Sequence, residues 1–487
     1  MTNFESLFRF LKIINSKSKS ASVHRSIRET TLATSIWIIS LLVIALPNGF
    51  KTRIGTIGLQ NNATPSQIRN AWGPGDAGSL LDTALTWSKF HQIDRTTQFW
   101  IVHLWTPGMS LIEVPLIWIA KLGIPIFWSL LLMTVGLWGI SFWLAWRYIG
   151  SMVGRLPIIF VSLSLIFSWD FKYLFRDDLF YTEGLAFGLL MLGLGCLGWS
   201  MLQPRKGLKV PLIAGFAIGV SVMVRHVTDY GLTLFFGTSV ALFVYQFSKF
   251  RNSSRQPDKK RSRKLAGTPR FLSQLREPDS FKSVLASTVA LLVTIPWRLI
   301  SPLVFGGWWW VLSSAGAGVG VGAWTPNSKI GFWAPFGMNW ACNIDPQKCE
   351  YLYRLPQTPA NDSLLLKQAI LTALQHPIAY LKFRGHSLTD NWIPGGSKLD
   401  FSIQTLASLL PIILTIIALV MLVRQLSLIR YAWLFFPFLI MEIGQLLLVH
   451  YESRYFIPVR LLMLGLFFQV LMVRTEAQNK LNNPAQY

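Results

Sequence analysis

The stretch PGMSLIEVPLIWIA (107–120) decides how this chain is threaded. It is apolar, but it is short and carries Glu113 near its middle. A spanning helix needs about 20 mostly apolar residues, and a carboxylate inside a span is expensive. Around it lie ten better candidates, at 31–47, 126–146, 156–169, 183–202, 210–224, 230–247, 283–304, 401–423, 431–449 and 456–473. Charge placement settles the reading of 107–120. If it does not cross and the N-terminus is cytoplasmic, the inner segments (1–30, 147–155, 203–209, 248–282, 424–430 and 474–487) hold 26 Lys+Arg and 6 Asp+Glu. The outer segments then hold 17 and 15. Segment 248–282 alone carries 11 basic residues. Cytoplasmic loops favour Lys and Arg. Counting 107–120 as a span would turn 248–282 outward, so the stretch reads as a helix lying in, or dipping into, the outer interface.

The rest of the composition agrees with a polytopic all-α membrane protein. Of 487 residues, 52% are hydrophobic and 14% charged, against roughly 25% charged in soluble domains. This excludes an ordinary soluble enzyme, a disordered chain and a disulfide scaffold. Twenty-one Trp and 33 Phe suit a chain with long membrane interfaces. The net charge of +23 reads as a topology and anionic-lipid signal. A nucleic-acid partner is not expected, because no aromatic interleaving or nucleic-acid motif accompanies the basic runs. The first span reads as an uncleaved anchor, since its basic leader is long and no A-x-A site follows.

The expected organisation is a cytoplasmic N-terminus (1–30), a membrane core (31–247) with an outer loop (48–125), and a cytoplasmic basic loop (248–282). C-terminal spans (283–473) with an outer segment (305–400) and a cytoplasmic tail (474–487) complete it. Apolar residues at 80, 81, 84, 85 and 87 predict an amphipathic helix over 78–91. Stretches 362–375 and 377–390 also read as helices. The Gly-rich run 306–324 has no phosphate-loop pattern and reads as irregular. Cys342 and Cys349, in ACNIDPQKCEY, lie in an outer segment, where an oxidising compartment favours a disulfide. A metal pair is the rival reading, but no His accompanies them. Cys196 sits in a span and reads as packing.

Ionisable residues gather in four outer regions: Asp76, the run DFKYLFRDDLFYTE (170–183), RHVTD (225–229) and HYESRY (450–455). Each has a plain structural reading. Asp76 suits a helix N-cap, Glu183 a helix start, and Arg454, Arg225 and Arg176 suit interfacial snorkelling. Asp177 and Asp178 suit a solvated pair, and His226 and His450 suit structural roles. Deeper lie Glu442, Arg460 and Arg298, and a Glu442–Arg460 pair between the last two spans would cut the burial cost.

Five motifs add a second reading. GDAGSLLDTA places Asp76 eight residues before Ala84, followed by TPGMSLIEVPLIWIAKLGIP (106–125). YTEGLAFGLLMLGLG opens a span with Glu183, GFAIGVSVMVRH (215–226) ends in Arg225, and ESRYFIPV (452–459) opens the last span. In order, spacing and sidedness the chain resembles the GT-C superfamily of polytopic glycosyltransferases over nearly its whole length. It departs at Leu80, where Tyr is frequent, at His226, where Pro is frequent, and in lacking an Asp-Glu pair at the first site.

The resemblance implies a GT-C-like fold and an inverting transfer of a sugar from a polyprenyl-phosphate carrier to a glycan, lipid or protein acceptor. Asp76 is then the catalytic base. Arg454, Arg225 and Arg176, in that order, would face the departing phosphate, with Glu183 and Tyr455 also on the donor. Asp177 and Asp178 would be acidic partners or ligands of a divalent metal, Mg or Mn; some relatives use one and others none. The expected setting is a bacterial inner membrane with the site facing the periplasm. Two rivals remain at this point: an O-antigen polymerase or ligase acting on a lipid-diphosphate donor, and a lipid or solute transporter. A transporter more often shows repeats and midplane polar sites, and no repeat is evident here.

Overall fold

The computed structural model describes residues 23–49, 76–89, 106–120, 122–124, 126–177, 182–202, 207–225, 227–254, 280–305, 323–324, 340–355, 359–392, 403–424, 433–448 and 455–482. Among them every regular element is helical. Helix α1 is Val23–Gly49, α2 is Asp76–Ser88 and α3 is Gly108–Ala120. Helix α4 runs from Ile126 to Leu144 and continues through a π turn (Ala145–Ile149) to Val153. Helix α5 is Leu156–Phe167, and α6 is Trp169–Lys172 extended by a second π turn, Tyr173–Asp177. There follow α7 (Glu183–Leu202), α8 (Lys209–Val224), α9 (Val227–Ser254) and α10 (Ser280–Phe305). Segment 305–400 contributes α11 (Trp340–Ile344), α12 (Pro346–Tyr353), α13 (Pro359–Gln375) and α14 (Pro377–Trp392). The chain closes with α15 (Ile403–Arg424), α16 (Phe436–Leu448) and α17 (Phe456–Asn482).

Seven of these helices are long and apolar enough to cross a membrane, and an eighth is gained if α5 and α6 form one bent span. The chain is an α-helical membrane protein. Two of the ten expected spans are present as shorter helices: α8 has 16 residues and α16 has 13. Helix α3 also has 13 residues, below the length of a straight crossing.

The expected span 156–169 is not straight. The axis bends by 58° between Leu156–Phe167 and Trp169–Phe175. Ser168 causes the break. Its backbone is extended (φ −72°, ψ 151°), its hydroxyl accepts from Phe171 N and donates to Leu165 O at 2.7 Å. A serine that caps one helix while bonding back into another competes with the continuous ladder. The bend carries Asp170 into the protein interior.

Packing around α8 depends on small residues. A Cβ at Gly215 would meet Ala286 O at 2.3 Å, and one at Gly219 would meet Ala290 O at 2.8 Å. The two glycines therefore seat α8 directly on the α10 backbone, the close approach that small-xxx-small spacing allows. Ser221 on α8 donates to Ala186 O of α7 at 2.7 Å.

A second, smaller core lies in segment 305–400. It gathers Trp324, Trp340, Cys342, Cys349, Leu352 and Leu365. Cys342 and Cys349 form a disulfide with a Cα–Cα separation of 4.8 Å, short enough for the bond. Buried Arg384 lies over Trp340 and Tyr380, at 5.2 and 5.6 Å from their ring centres. The Tyr380 hydroxyl donates to Leu447 O, fastening α14 to the end of α16. Of the run 306–324, only Ala323 and Trp324 are among the described residues.

Candidate functional site

The site forms where α7, α8, α9 and α17 meet at one end of the bundle. Helix α8 stops at Arg225, whose backbone turns extended (φ −136°, ψ 113°). Helix α9 begins two residues later. The break leaves the Arg225 carbonyl without its helical partner, and the Thr228 hydroxyl donates to it at 2.6 Å. The Arg225 guanidinium donates through Nη1 to Glu183 Oε1 at 2.5 Å, and Thr182 Oγ1 donates to Glu183 Oε2 at 3.2 Å. Both partners are only 2% exposed. The guanidinium lies 5.1 Å from the Phe187 ring centre and 5.6 Å from that of Tyr455. Aromatic faces attract a desolvated cation, so both rings hold Arg225 in place. Glu442 on α16 is buried, lies within electrostatic reach of Arg225 and Glu183, and its two oxygens have no hydrogen-bond partner.

Glu183, Arg225 and Tyr455 are thus brought together although they come from three separate motifs. Asp76 opens α2, and Arg176 and Asp177 lie in the π turn after α6; their side chains are outside the described residues, as are Asp178, His226, His450 and Arg454. Helix α2 nonetheless connects to the site through α3. Ser110 donates to Leu80 O at 2.8 Å, and Trp118 Nε1 donates to Ser88 O at 3.2 Å. A Cβ at Gly108 would meet Met223 O at 2.3 Å, so α3 begins hard against the last turn of α8, two residues before Arg225.

Two further ion pairs cross the bundle. Arg460 donates through Nε to Asp170 Oδ2 at 2.7 Å and through Nη2 to Asp170 Oδ1. The expected Glu442–Arg460 pair is therefore replaced: the bend at Ser168 delivers a carboxylate that engages the guanidinium in a two-point contact. Arg298 on α10 donates to Asp229 at the start of α9 and through Nε to Thr294 Oγ1 at 2.9 Å. Among the described residues no group of three or more His, Cys, Asp or Glu is placed to hold a metal ion. The described acids Asp170, Glu183 and Asp229 each face an arginine, a donor set that suits a cationic side chain rather than a free cation. The metal expectation rests on Asp177 and Asp178, whose side chains are outside the described residues.

Glu113 is the acid that sequence reasoning used for topology only. It is fully buried on α3, and neither oxygen has a hydrogen-bond partner. Burial pushes its carboxyl well above the usual carboxylate range. A folded-state value raised above the unfolded one makes the neutral form the stabilising one. That contribution is complete below the unfolded value and is lost as pH rises toward the folded one. Glu113→Gln keeps the neutral shape and removes the titration. It is expected to raise the melting temperature of the detergent-solubilised protein at pH 8 while leaving it nearly unchanged at pH 4, read by thermal unfolding at both pH values.

No family model matches the chain, and no curated protein or solved structure matches it either.

Proposed function

We propose that the chain is a membrane glycosyltransferase that moves a sugar from a polyprenyl-phosphate carrier to an acceptor outside the cytoplasm. The observation that supports this reading is the convergence of Glu183, Arg225 and Tyr455. They derive from YTE, VRH and SRY, the starts or ends of three helices far apart in sequence, and they meet at one end of the bundle. Helix α2, which begins at Asp76, is coupled to the same end through α3.

In this reading the acceptor oxygen forms a bond to the anomeric carbon as the bond from that carbon to the phosphate oxygen breaks. Asp76 takes the acceptor proton, and the carrier leaves as polyprenyl phosphate. Arg225 is committed to Glu183 and fixes the positive edge of the site. Arg454, one residue before Tyr455, is the arginine assigned to the leaving phosphate, where planar two-point contact is favoured. In this reading the site faces the exterior or periplasm, and the basic loop 248–282 and both termini lie in the cytoplasm, which the distribution of Lys and Arg supports.

The test is biochemical. Reconstituted protein supplied with a radiolabelled polyprenyl-monophosphate sugar and a membrane extract of acceptors is expected to release polyprenyl phosphate and label one acceptor class. Mass spectrometry of surface glycans from cells with and without the chain then names the sugar. Turnover of a lipid-diphosphate donor, with none of the monophosphate, would overturn the reading in favour of a polymerase or ligase.

A further inference from the structure

Segment 305–400 leaves an apolar surface uncovered although its helices are not among those long and apolar enough to cross a membrane. Helices α13 and α14 meet at His376-Pro377. His376 N donates to Thr372 O and Tyr380 N to His376 O, both at 3.0 Å, so the helical register carries across the junction. The inward side of this pair is already used: Leu365, Ala369 and Thr372 are buried, the first two in the small core with Trp340 and the disulfide. The other side is apolar as well. Leu371, Leu374, Ile378 and Leu381 follow one another by 3, 4 and 3 residues, the repeat of a single helix face. Leu374, Ile378 and Leu381 are 71%, 82% and 65% exposed. A helix apolar on both sides has both sides covered, and a contiguous exposed apolar patch marks an interaction site.

Position and charge identify the cover. Tyr380, within this ridge, donates to Leu447 O, one of the last carbonyls of α16, which lack partners inside the helix. Helix α16 packs on α9 and α17 with Phe438 and Leu446 buried, while Ile440, Ile443 and Leu447 on its other side are exposed. The uncovered side of an apolar bundle helix in a membrane protein faces hydrocarbon. The ridge therefore starts where that side of α16 ends, at interfacial depth, where a Tyr with one apolar and one wet end settles. As to charge, no Asp or Glu occurs between Asp362 and Asp390, whereas Lys367, Lys382 and Arg384 do. Arg384 is buried. Lys367 stands four residues before Leu371 on α13 and Lys382 four residues after Ile378 on α14, so each continues the ridge face by one turn, and both are exposed. Lysines at the two ends of an apolar face suit a headgroup layer, with the stem on the apolar side and the ammonium at phosphate. A second copy seated on the ridge by two-fold symmetry would instead set lysine against lysine.

We propose that the ridge 370–381 lies in the headgroup–acyl boundary of the same bilayer, beside the end of α16, with Lys367 and Lys382 on the phosphates of anionic lipids. The disulfide-clipped core behind it is thereby moored flat on the membrane. The inference does not depend on the transferase reading.

The test uses the full chain reconstituted at high lipid-to-protein ratio in vesicles of phosphatidylcholine with or without phosphatidylglycerol. Nitroxides are placed one at a time by Leu374→Cys, Ile378→Cys or Leu381→Cys in a Cys196→Ser background, with Ile440→Cys as the hydrocarbon reference and Glu350→Cys as the water reference. Collision with oxygen is compared with collision with a water-soluble nickel chelate. The three ridge labels are expected to favour oxygen, as at 440 and opposite to 350, at a depth of about 5–10 Å below the phosphates. Adding Lys367→Gln and Lys382→Gln should move them toward water in vesicles with phosphatidylglycerol and leave them unmoved in phosphatidylcholine alone. A lipid carrying a diazirine near its headgroup, applied to the unaltered protein, should crosslink within 370–381, which keeps the test independent of how the variants fold. Nickel-favoured labels would put the ridge in water, and labels closed to both reagents would put it against protein; either result, or no crosslink within 370–381, overturns the proposal. An equal shift of the lysine variant in both lipids, or none in either, overturns the headgroup assignment.

Discussion

Asp170→Ala is expected to destabilise the folded protein by about 3–5 kcal/mol, because it leaves the Arg460 guanidinium charged and buried without its partner. Arg460 has no exposed surface and Asp170 only 2%, so solvent cannot substitute for the lost carboxylate. The contact is two-pointed, from Nε and Nη2 to the two carboxylate oxygens, the geometry in which Arg is strongest. It joins α6 to α17 across a separation of 290 residues, so its loss frees the last helix from the bent segment. Arg460→Met alone should be damaging for the converse reason, an unpaired buried carboxylate. The double variant should recover much of the loss, since an apolar replacement of a buried pair is often near neutral. Thermal unfolding in detergent of all four proteins closes the cycle. Additive losses would show that the pair carries no coupling.

The helical layout was legible because apolar runs of membrane length leave few other solutions for the backbone. The amphipathic register of α2 was equally plain: Leu80, Leu81 and Ala84 are buried as their spacing requires. The pairing of charges was not legible. Arg460 was expected to meet Glu442 because their spans are consecutive, and proximity in sequence was the only guide. A hydropathy reading counts residues and does not see a bend, so Asp170 was placed among the outer-loop acids. The signal was the serine before Trp169-Asp170: a Ser inside an apolar run followed by an acid is a helix-start pattern. For the site, residue types and sidedness singled out Glu183 and Arg225, but not that they bind each other. The resemblance implied that Arg225 faces the departing phosphate, and its packing by Phe187, Tyr455 and Glu183 was outside what residue type and order reveal. Glu113 was judged by its cost to a span. Its burial on α3 follows from packing against α2 and α8, which no local pattern reveals.

Asp76→Asn separates the two roles that the first residue of α2 allows. Asp76 lies in the first turn of α2, one place past the capping position expected for it, where a negative charge favours the helix dipole and Asn keeps the shape without the charge. Only Asp accepts a proton from an attacking hydroxyl at neutral pH. If Asp76 is the base, Asp76→Asn should lower kcat by about 10²–10⁴-fold, the usual range for general-base catalysis, with KM for the donor and the melting temperature little changed. Asp76→Ala should lose the same activity, and the stability lost with the charge at the helix start is about 0.3–1 kcal/mol in either variant. Among the described residues helix α2 is linked to the site through α3, by the Ser110–Leu80 hydrogen bond and the Gly108–Met223 approach. A structural defect at the helix start would therefore misplace α2 and change KM and kcat together, while a lost base acts on kcat alone. Full turnover in Asp76→Asn would leave Asp76 a structural residue of the helix start and move the search for the base to the acids at 177 and 178.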